Sequence, residues 1–284
     1  MGSVRIIGVT IVTIALVGIL YQYFLQQPIA GPQLSVSSLV HSLVSFPTIS
    51  LPTLKTPAEP VIPLNLFQTW HSSELPPKMA ECVASMKQDN PEFQHYLYDE
   101  HQCIDFLRQH FDADVLLAYQ SLIPLAYKAD LWRYCILYTY GGIYVDVKYK
   151  CINDFKFITL TDDEYFVLDR YHIVDKLAVY NALIVVKPYN EIMKKCIRTI
   201  VDHVQTRYKG TDDLDVTGPT MMIQHFTPNQ KKKLKRLFFT DENTIVFEGT
   251  NILKMYPDYR KEQEKSTTVK NYHELWRTNQ IYAK

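Results

Sequence analysis

An aspartate and a lysine lie two residues apart in the stretch "GGIYVDVKY", and both side chains could bind a phosphorylated ligand. The carboxylate of Asp146 can hold a divalent cation or accept hydrogen bonds from sugar hydroxyls. The ammonium of Lys148 can neutralise phosphate charge, but it cannot coordinate a cation. If "IYV" is a strand, Asp146 ends it at the edge where ligands bind in open α/β sheets. An ordinary strand with an outward aspartate fits this stretch equally well.

A second charged pair, Asp130 and Arg133, precedes this stretch on a segment with helical periodicity. Their spacing of three residues places both on one helical face, away from the apolar face. Taken alone, the pair is typical of an exposed ion pair, which contributes little to stability. The helix leads directly into Gly141 and Gly142, however, and this turn would bring its end close to Asp146. The sequence pattern alone leaves two interpretations open, an exposed ion pair and a charged pair close to Asp146.

The composition of the 284-residue chain indicates a folded domain with a local binding site. Apolar residues make up 47% of the chain and aromatic residues 13%, which is enough for a core. The 30 basic and 30 acidic residues balance, which excludes the global field expected of a nucleic-acid-binding protein. The 5 cysteines are widely spaced and contain no CxxC pair, so neither a zinc knuckle nor a disulfide framework is predicted.

The amino-terminal segment is predicted to anchor the protein in a membrane. Residues 6–25 are nearly all apolar and uncharged, and about 20 residues of helix match the hydrocarbon core. A cleaved signal peptide is the alternative, but its apolar region is normally only about 7 to 15 residues long. Arg5 is the only charged side chain before Lys55, so the positive-inside tendency predicts a cytosolic amino terminus. We therefore expect a single-pass type II membrane protein of the Golgi or endoplasmic reticulum, with its main domain in the lumen.

Three regions are predicted along the chain. Residues 1–25 form the cytosolic stub and anchor, residues 26–60 a Pro/Ser-rich stem, and residues 61–284 one α/β domain. Strands are predicted at "IPLNLFQTW", "FQHYLYD", "IYVDV", "EYFVLD", "NALIVVK" and "NTIVFEG". Helices are predicted from Pro76–Pro77, over residues 100–120, over residues 125–140 and over residues 190–208.

Several motifs between Val61 and Trp276 resemble one glycosyltransferase family. "YKADLWRYCILYTYGGIYVDVKY" resembles the core signature of the DXD-motif glycosyltransferases of family 32, which include initiating α-1,6-mannosyltransferases and inositol-phosphoceramide mannosyltransferases. "IPLNLFQTWHSSELPPKM" is similar to that family's opening strand, and "NPEFQHYLYDE" to its second strand. "TGPT" at residues 217–220 is similar to a downstream Thr-Gly-Pro element, and "YHELW" at residues 272–276 to late His and Trp positions. Several motifs in the expected order are far more specific than any one of them.

The resemblance implies a GT-A fold, which is a Rossmann-like nucleotide-sugar-binding sheet, and retaining transfer of a hexose to a glycan or glycolipid acceptor. GDP-mannose is the first donor by family frequency, and a UDP-sugar of galactose or N-acetylglucosamine is the alternative. The residues that the resemblance assigns to the nucleotide-sugar pocket are Gln68, Trp70, Asp130, Arg133, Gly141, Gly142 and Asp146. It assigns Asn181, Gly218 and Pro219 to the acceptor side, and His273 and Trp276 to closure over the diphosphate.

The resemblance also implies Mn²⁺ or Mg²⁺, with Asp146 and His273 as candidate ligands, but Lys148 occupies the position of the motif's second aspartate. Three explanations are open. Lys148 replaces the metal's charge at the diphosphate, or Asp146 holds the metal together with His273 or another acidic residue, or the protein has lost catalytic activity. Because strand residues alternate, Asp146 and Lys148 are expected to face the same side. We expect an active enzyme whose catalytic residues are Asp146, Lys148 and Asp130. The alternative is a non-catalytic protein that binds nucleotide sugars or carbohydrate.

Overall fold

The computed structural model describes residues 60–170 and 177–284, without the side chain of residue 235. The predicted anchor at residues 6–25, and the predicted stem up to residue 59, lie outside the described residues. Within the described ranges, no helix is both long enough and apolar enough to cross a membrane. These ranges fall almost entirely within the predicted α/β domain.

One mixed sheet contains the nine strands of the described residues. They are β1 (Asn65–Thr69), β2 (Gln94–Tyr98), β3 (Gly142–Val145), β4 (Tyr149–Cys151), β5 (Tyr165–Leu168), β6 (Val179–Val186), β7 (Leu237–Phe239), β8 (Thr244–Phe247) and β9 (Thr250–Met255). Their spatial order is β2-β1-β3-β6-β5-β7-β8-β9-β4. β1 pairs in parallel with β2 and β3, β6 is antiparallel to β3 and β5, and β5 is parallel to β7. Since β1 is parallel to β3, and β6 is antiparallel to both β3 and β5, strands β1, β3 and β5 all run in the same direction. The pairs β7-β8, β8-β9 and β9-β4 are antiparallel.

The connection from β3 to β4 shows that this sheet curls. Only three residues, from Asp146 to Lys148, separate the two strands, yet β4 lies at the far end of the strand order. Such a connection spans no more than roughly 14 Å, so the β9-β4 end must return to the carboxyl end of β3. The backbone N–H of Tyr256, which follows β9, donates to the carbonyl of Lys148 at 3.2 Å. The Asp146–Lys148 turn therefore lies between β3 and the returning end of the sheet.

Helices connect the strands and cover the sheet. In the described ranges they are α1 (Pro77–Asp89), α2 (Glu100–His110), α3 (Ala113–Ser121), α4 (Leu125–Tyr140), α5 (Glu191–Gln205), α6 (Pro219–Met222), α7 (Pro228–Lys233), α8 (Tyr259–Lys265) and α9 (Tyr272–Arg277). The helices predicted from the sequence correspond to α1 through α5. The predicted strands correspond to β1, β2, β3, β5, β6 and β8. The α/β class is therefore confirmed.

Local sequence signals explain where several helices begin. Asp99 accepts from the backbone N–H of Gln102 at 2.8 Å, and the Gln102 side chain accepts from the backbone N–H of Asp99 at 3.0 Å. This capping box satisfies two otherwise unpaired donors at the start of α2. α1 begins at Pro77, because a fixed φ and a missing N–H are tolerated in the first turn. The side chains that α1 buries are the four predicted from their spacing: Met79, Cys82, Val83 and Met86.

The two faces of the sheet are buried in separate apolar clusters. Alternation along β3 divides its residues between them, since Tyr144 packs with the helices and Ile143 and Val145 pack on the opposite side. α4 lies within the helical cluster, where Leu131 and Trp132 are fully buried. Burying one leucine contributes about 1.5–3 kcal/mol. The packing therefore holds α4 firmly against the sheet.

α4 is buried on more faces than its sequence pattern predicted. Nine of its 16 residues are buried, and they include Asp130 at 7% exposure and Arg133 at 5%. The interpretation of this pair as an exposed surface ion pair is therefore wrong. The segment around Gly218 covers the helix face opposite the apolar one, since a Cβ on Gly218 would lie 3.4 Å from the Asp130 carboxylate.

The turn from α4 to β3 requires both of its glycines. Gly141 has a φ of +60° and Gly142 a φ of +114°, which are unfavourable for other residues. A Cβ on Gly141 would lie 2.5 Å from Cδ of Pro188, and one on Gly142 would lie 2.6 Å from the carbonyl oxygen of Asn65. This close turn sets the distance between the charged residues of α4 and the carboxyl end of β3.

Candidate functional site

A cavity of about 410 Å³ lies at the carboxyl ends of three strands that run in the same direction. Trp70, Asp146 and Asp169 line it, and each is the first residue after its strand, namely β1, β3 and β5. Ligands bind at this edge in open α/β sheets. The residues predicted from the sequence that line the cavity are Trp70, Asp130, Arg133, Asp146, Lys148, Asn181, Gly218, Pro219 and His273.

Asp146 lies between two cations. Its Oδ2 accepts a hydrogen bond from Nζ of Lys148 at 2.6 Å, and its Oδ1 accepts one from the Tyr144 hydroxyl at 2.8 Å. Nη1 of Arg133 lies 3.4 Å from the same Oδ1. Burial alone would raise the pKa of Asp146, but Lys148 and Arg133 outweigh burial, so the pKa lies below its usual value. The carboxylate is therefore ionised and held in one orientation.

A tight turn, rather than a continued strand, brings Asp146 and Lys148 together. β3 ends at Val145, and the backbone N–H of Tyr149 donates to the carbonyl of Asp146 at 3.2 Å. The strand alternation expected at these positions is therefore wrong. The expected result, two side chains on the same side, is confirmed by their direct contact.

Three tyrosine rings surround the ammonium of Lys148. Its Nζ lies 5.5 Å from the ring centroid of Tyr149, 5.3 Å from that of Tyr180 and 5.7 Å from that of Tyr259. The residue is only 9% exposed. Burial alone would lower the pKa of Lys148, but Asp146, Tyr180 and Tyr259 outweigh it, and the pKa lies above its usual value. Lys148 is therefore a permanent cation on the cavity wall.

Arg133 connects α4 to β6 and to the end of β3. Its Nη1 donates to the backbone carbonyl of Asn181 at 2.6 Å, and its Nη2 lies 3.4 Å from Oδ1 of Asp130. The guanidinium carbon lies 4.4 Å from the ring centroid of Tyr144. A guanidinium has five donors in a planar fork, so it can hold these groups and still face an anion.

Asp130 is held mainly by neutral donors. The Thr217 hydroxyl donates to its Oδ2 at 2.7 Å, and the Asn181 amide donates to its Oδ1 at 2.9 Å. The same amide group also donates to the Tyr134 hydroxyl at 2.8 Å. Burial raises the pKa of Asp130 above its usual value. Residues assigned to the donor side and to the acceptor side therefore belong to one continuous hydrogen-bond network.

Trp70 lines the cavity and also carries a buried, unpaired indole donor. Its backbone N–H donates to the carbonyl of Tyr98 at 3.0 Å, which continues the β1-β2 pairing. Its indole Nε1 is buried and has no hydrogen-bond partner within the described part of the chain. An unpaired buried N–H of this kind costs stability.

The remaining predicted site residues do not line the cavity. Gln68 is fully buried in β1, and its Oε1 accepts from Nε2 of His95 at 2.8 Å. The two glycines form the α4-β3 turn. Trp276 donates from its Nε1 to the carbonyl of Lys209 at 2.7 Å. These residues stabilise the strands and helices around the site, and they do not form part of the cavity wall.

The groups around Asp146 do not fit Mg²⁺ or Mn²⁺. Both carboxylate oxygens already accept hydrogen bonds, and Lys148 and Arg133 would repel a divalent cation. His273, the other predicted ligand, makes its Nδ1 contact with Asp213 instead. Within the described residues, no group of three or more His, Cys, Asp or Glu side chains is arranged to hold a metal. We therefore assign no step to a metal ion.

Sequence reasoning missed three residues of the site, Asp169, Tyr180 and Tyr259. Asp169 follows the predicted strand "EYFVLD", so its position at the ligand-binding edge could have been inferred. Burial raises the pKa of Asp169 above its usual value. The ring of Tyr180 stacks on that of Phe239 with centroids 4.0 Å apart. The two tyrosines contact Lys148 from β6 and α8, a proximity that no local pattern indicates.

The segment that carries these charged residues matches a known family. Residues 76–167 match the family described as "Glycosyltransferase sugar-binding region containing DXD motif". The resemblance inferred from the sequence is thereby confirmed over this segment, which includes Asp130, Arg133 and Asp146. This part of the chain is therefore related to glycosyltransferases that contain a DXD motif.

Two curated proteins illustrate the relationship. The chain is 31% identical over 91 residues to the initiation-specific alpha-1,6-mannosyltransferase of Candida albicans, a match that covers 30% of this chain and 24% of that protein. It is 31% identical over 108 residues to inositol phosphoceramide mannosyltransferase 2 of Schizosaccharomyces pombe, which covers 37% of this chain and 31% of that protein. The chain thus matches less than a third of the length of each relative.

One solved structure, the PaToxG glycosyltransferase, aligns with 57% of this chain and 67% of its own chain. The two are 19% identical, and the TM-score is 0.45.

Proposed function

We propose that the protein is a retaining glycosyltransferase with a GT-A fold that transfers a hexose from a nucleotide sugar. The observation that supports this most is the cluster of Asp130, Arg133 and Asp146, because it lies within the family-matched segment and on the wall of the cavity.

The chemistry of sugar transfer explains the charged groups. The bond between the anomeric carbon and a phosphate oxygen breaks, and its electron pair stays on the departing diphosphate. The acceptor's hydroxyl oxygen forms the new bond to the anomeric carbon, and its proton passes to the diphosphate. Cations that are already in position stabilise the negative charge that develops on the leaving group. Arg133 and Lys148 are the cations that the Asp146 carboxylate holds at the end of β3.

Asp146 also has a direct role in this proposal. Its carboxylate orients both cations, and its fixed oxygens can accept hydrogen bonds from a sugar or ribose hydroxyl. Asp130 is more deeply enclosed and positions Asn181 on the acceptor side through the contact at 2.9 Å. Asp146 is therefore the residue whose removal should affect transfer most directly.

GDP-mannose is the first donor that we propose, and a glycan or glycolipid is the acceptor. The matched relatives are named as mannosyltransferases, which favours mannose. A UDP-sugar of galactose or N-acetylglucosamine is the alternative donor. We further propose a single-pass type II protein of the Golgi or endoplasmic reticulum, because residues 6–25 are apolar and uncharged.

The full chain, purified in detergent, provides the test. It should release nucleotide from one member of a panel containing GDP-mannose, UDP-galactose and UDP-N-acetylglucosamine. Asp146→Ala should reduce this release by about 100-fold or more, because it removes the group that orients both cations. Asp105→Ala removes an exposed carboxylate from α2 and is the matched control.

A non-catalytic nucleotide-sugar-binding protein is the second candidate, and Lys148 at the motif's second acidic position favours it. This candidate predicts saturable donor binding without turnover for any donor in the panel. Equal nucleotide release by wild type and Asp146→Ala would contradict the glycosyltransferase proposal.

A further inference from the structure

We propose that the Lys148 ammonium performs the charge-neutralising role of a divalent cation, so that this protein binds a nucleoside diphosphate without a metal. This inference rests on the proposed function and names the ligand chemistry of the same site. The family description includes a DXD motif, and the stretch that resembles it here, within the matched residues 76–167, is Asp146-Val147-Lys148. The position that would supply a second acidic metal ligand supplies a cation instead.

The turn after β3 places this cation where it can meet a phosphate. Nζ of Lys148 lies 2.6 Å from Oδ2 of Asp146, at the carboxyl end of β3 and on the cavity wall. An ammonium has three donors, and the contact with Asp146 uses one of them. The others are available to phosphate oxygens that enter the cavity.

The surroundings of Lys148 keep the side chain in place. The rings of Tyr149, Tyr180 and Tyr259 surround Nζ, and the hydroxyls of Tyr149 and Tyr180 are hydrogen-bonded to each other at 2.8 Å. This contact joins β4 to β6 next to the lysine. Aromatic faces attract a cation without using its N–H donors. The ammonium is therefore fixed in position before a ligand arrives.

The charge of the immediate cluster also suits an anion. Arg133 and Lys148 both contact the single carboxylate of Asp146, so these three side chains together carry one net positive charge. Asp130, the next carboxylate, lies 3.4 Å from Nη2 of Arg133, and its hydrogen-bond donors are the neutral Thr217 and Asn181. A divalent cation at Asp146 would meet two like charges, whereas a diphosphate would meet two opposite charges.

Calorimetric titration of the full chain in detergent with GDP and with UDP tests this inference. Wild type should bind one of them with the same affinity, within about twofold, in EDTA and in Mn²⁺. Lys148→Met should weaken binding in EDTA by about 10- to 100-fold, since a desolvated charge contact is lost. Lys232→Met removes a lysine that is exposed on α7 and does not line the cavity, and it should bind like wild type.

Lys148→Asp gives the reciprocal result, because it restores the second acidic residue beside Asp146. In this variant Mn²⁺ should increase GDP or UDP affinity by about 10-fold over that in EDTA. Thermal melts of each variant separate lost binding from lost folding, and the wild-type comparison between EDTA and Mn²⁺ needs no variant.

Three results would overturn the inference. Wild type that binds nucleotide only with Mn²⁺ would show that a metal is needed, while leaving the proposed function intact. Unchanged binding by folded Lys148→Met would remove the role of the lysine. Absence of GDP and UDP binding under both conditions, together with no turnover of any donor, would contradict the proposed function itself.

Discussion

The two sides of the cavity hold their charged residues in different ways. On the side of α4 and the β3 turn, Asp130, Arg133 and Lys148 are each less than 10% exposed and contact one another or Asp146. On the side of α9, the His273 side chain that contacts Asp213 is 54% exposed. Buried charged groups are fixed by their neighbours, whereas the contacts of exposed side chains are weaker and are screened by salt. We therefore expect substitutions on the buried side to have larger effects than substitutions on the exposed side.

The largest expected effect is on stability and comes from breaking the buried cluster. Arg133→Met should lower the free energy of unfolding by about 3–5 kcal/mol, because it leaves two buried carboxylates without their shared partner. Arg108 makes an exposed pair with Asp105, so Arg108→Met should cost at most about 1 kcal/mol. Urea denaturation of both variants measures the difference. Similar losses in the two would show that burial does not distinguish these ion pairs.

The turn that positions the buried side should be the next most sensitive feature. Gly142→Ala should cost roughly 2–3 kcal/mol, because its Cβ would lie 2.6 Å from the carbonyl oxygen of Asn65 at a φ of +114°. Gly249 also has a positive φ of +83°, but a Cβ there meets nothing within 4 Å. Gly249→Ala should therefore cost only about 1 kcal/mol. Denaturation midpoints of the two variants check this, and equal losses would mean that close packing at the turn is unimportant.

The ion pairs of Asp146 should be visible in the pH dependence of stability. Its folded-state pKa is lowered, because Lys148 and Arg133 outweigh the effect of burial. The stability from this shift is thus present above the unfolded pKa of about 3.9 and is lost as the pH falls through the folded pKa.

Asp146→Asn lacks this titration. The difference in unfolding free energy between wild type and the variant should therefore be largest near neutral pH and decrease in acid. Denaturation at pH 7 and below pH 4 measures it. A constant difference across this range would show that Asp146 has no shifted pKa.

The smallest effect is expected on the exposed side. His273→Ala removes a contact with Asp213 but leaves the buried cluster intact, so the donor KM should change by about threefold or less. The variant's response to Mn²⁺ should equal that of wild type, because His273 contacts Asp213 rather than Asp146. A loss of activity similar to that of Asp146→Ala would place His273 in the catalytic centre and contradict the division between the two sides.

Local sequence patterns predicted the helices, strands and turns better than they predicted which residues surround the site. The spacing of apolar residues in α1 identified all of its buried side chains, and the glycines after α4 identified the turn into β3. Both signals depend only on neighbouring residues. The same reasoning could not decide whether Asp130 and Arg133 form an exposed ion pair or lie near Asp146, because helical spacing shows which residues share a face but not what covers it.

The sequence alone determined that this is an α/β domain with Asp146 at the end of a strand and a lysine two residues later. Those features follow from residue type and short-range spacing. The tertiary structure decided that Lys148 lies among Tyr149, Tyr180 and Tyr259, because Tyr180 and Tyr259 come from distant parts of the chain. The physical reason is the curl of the sheet, which brings its β9-β4 end back to the carboxyl end of β3 and encloses the lysine beside its aspartate.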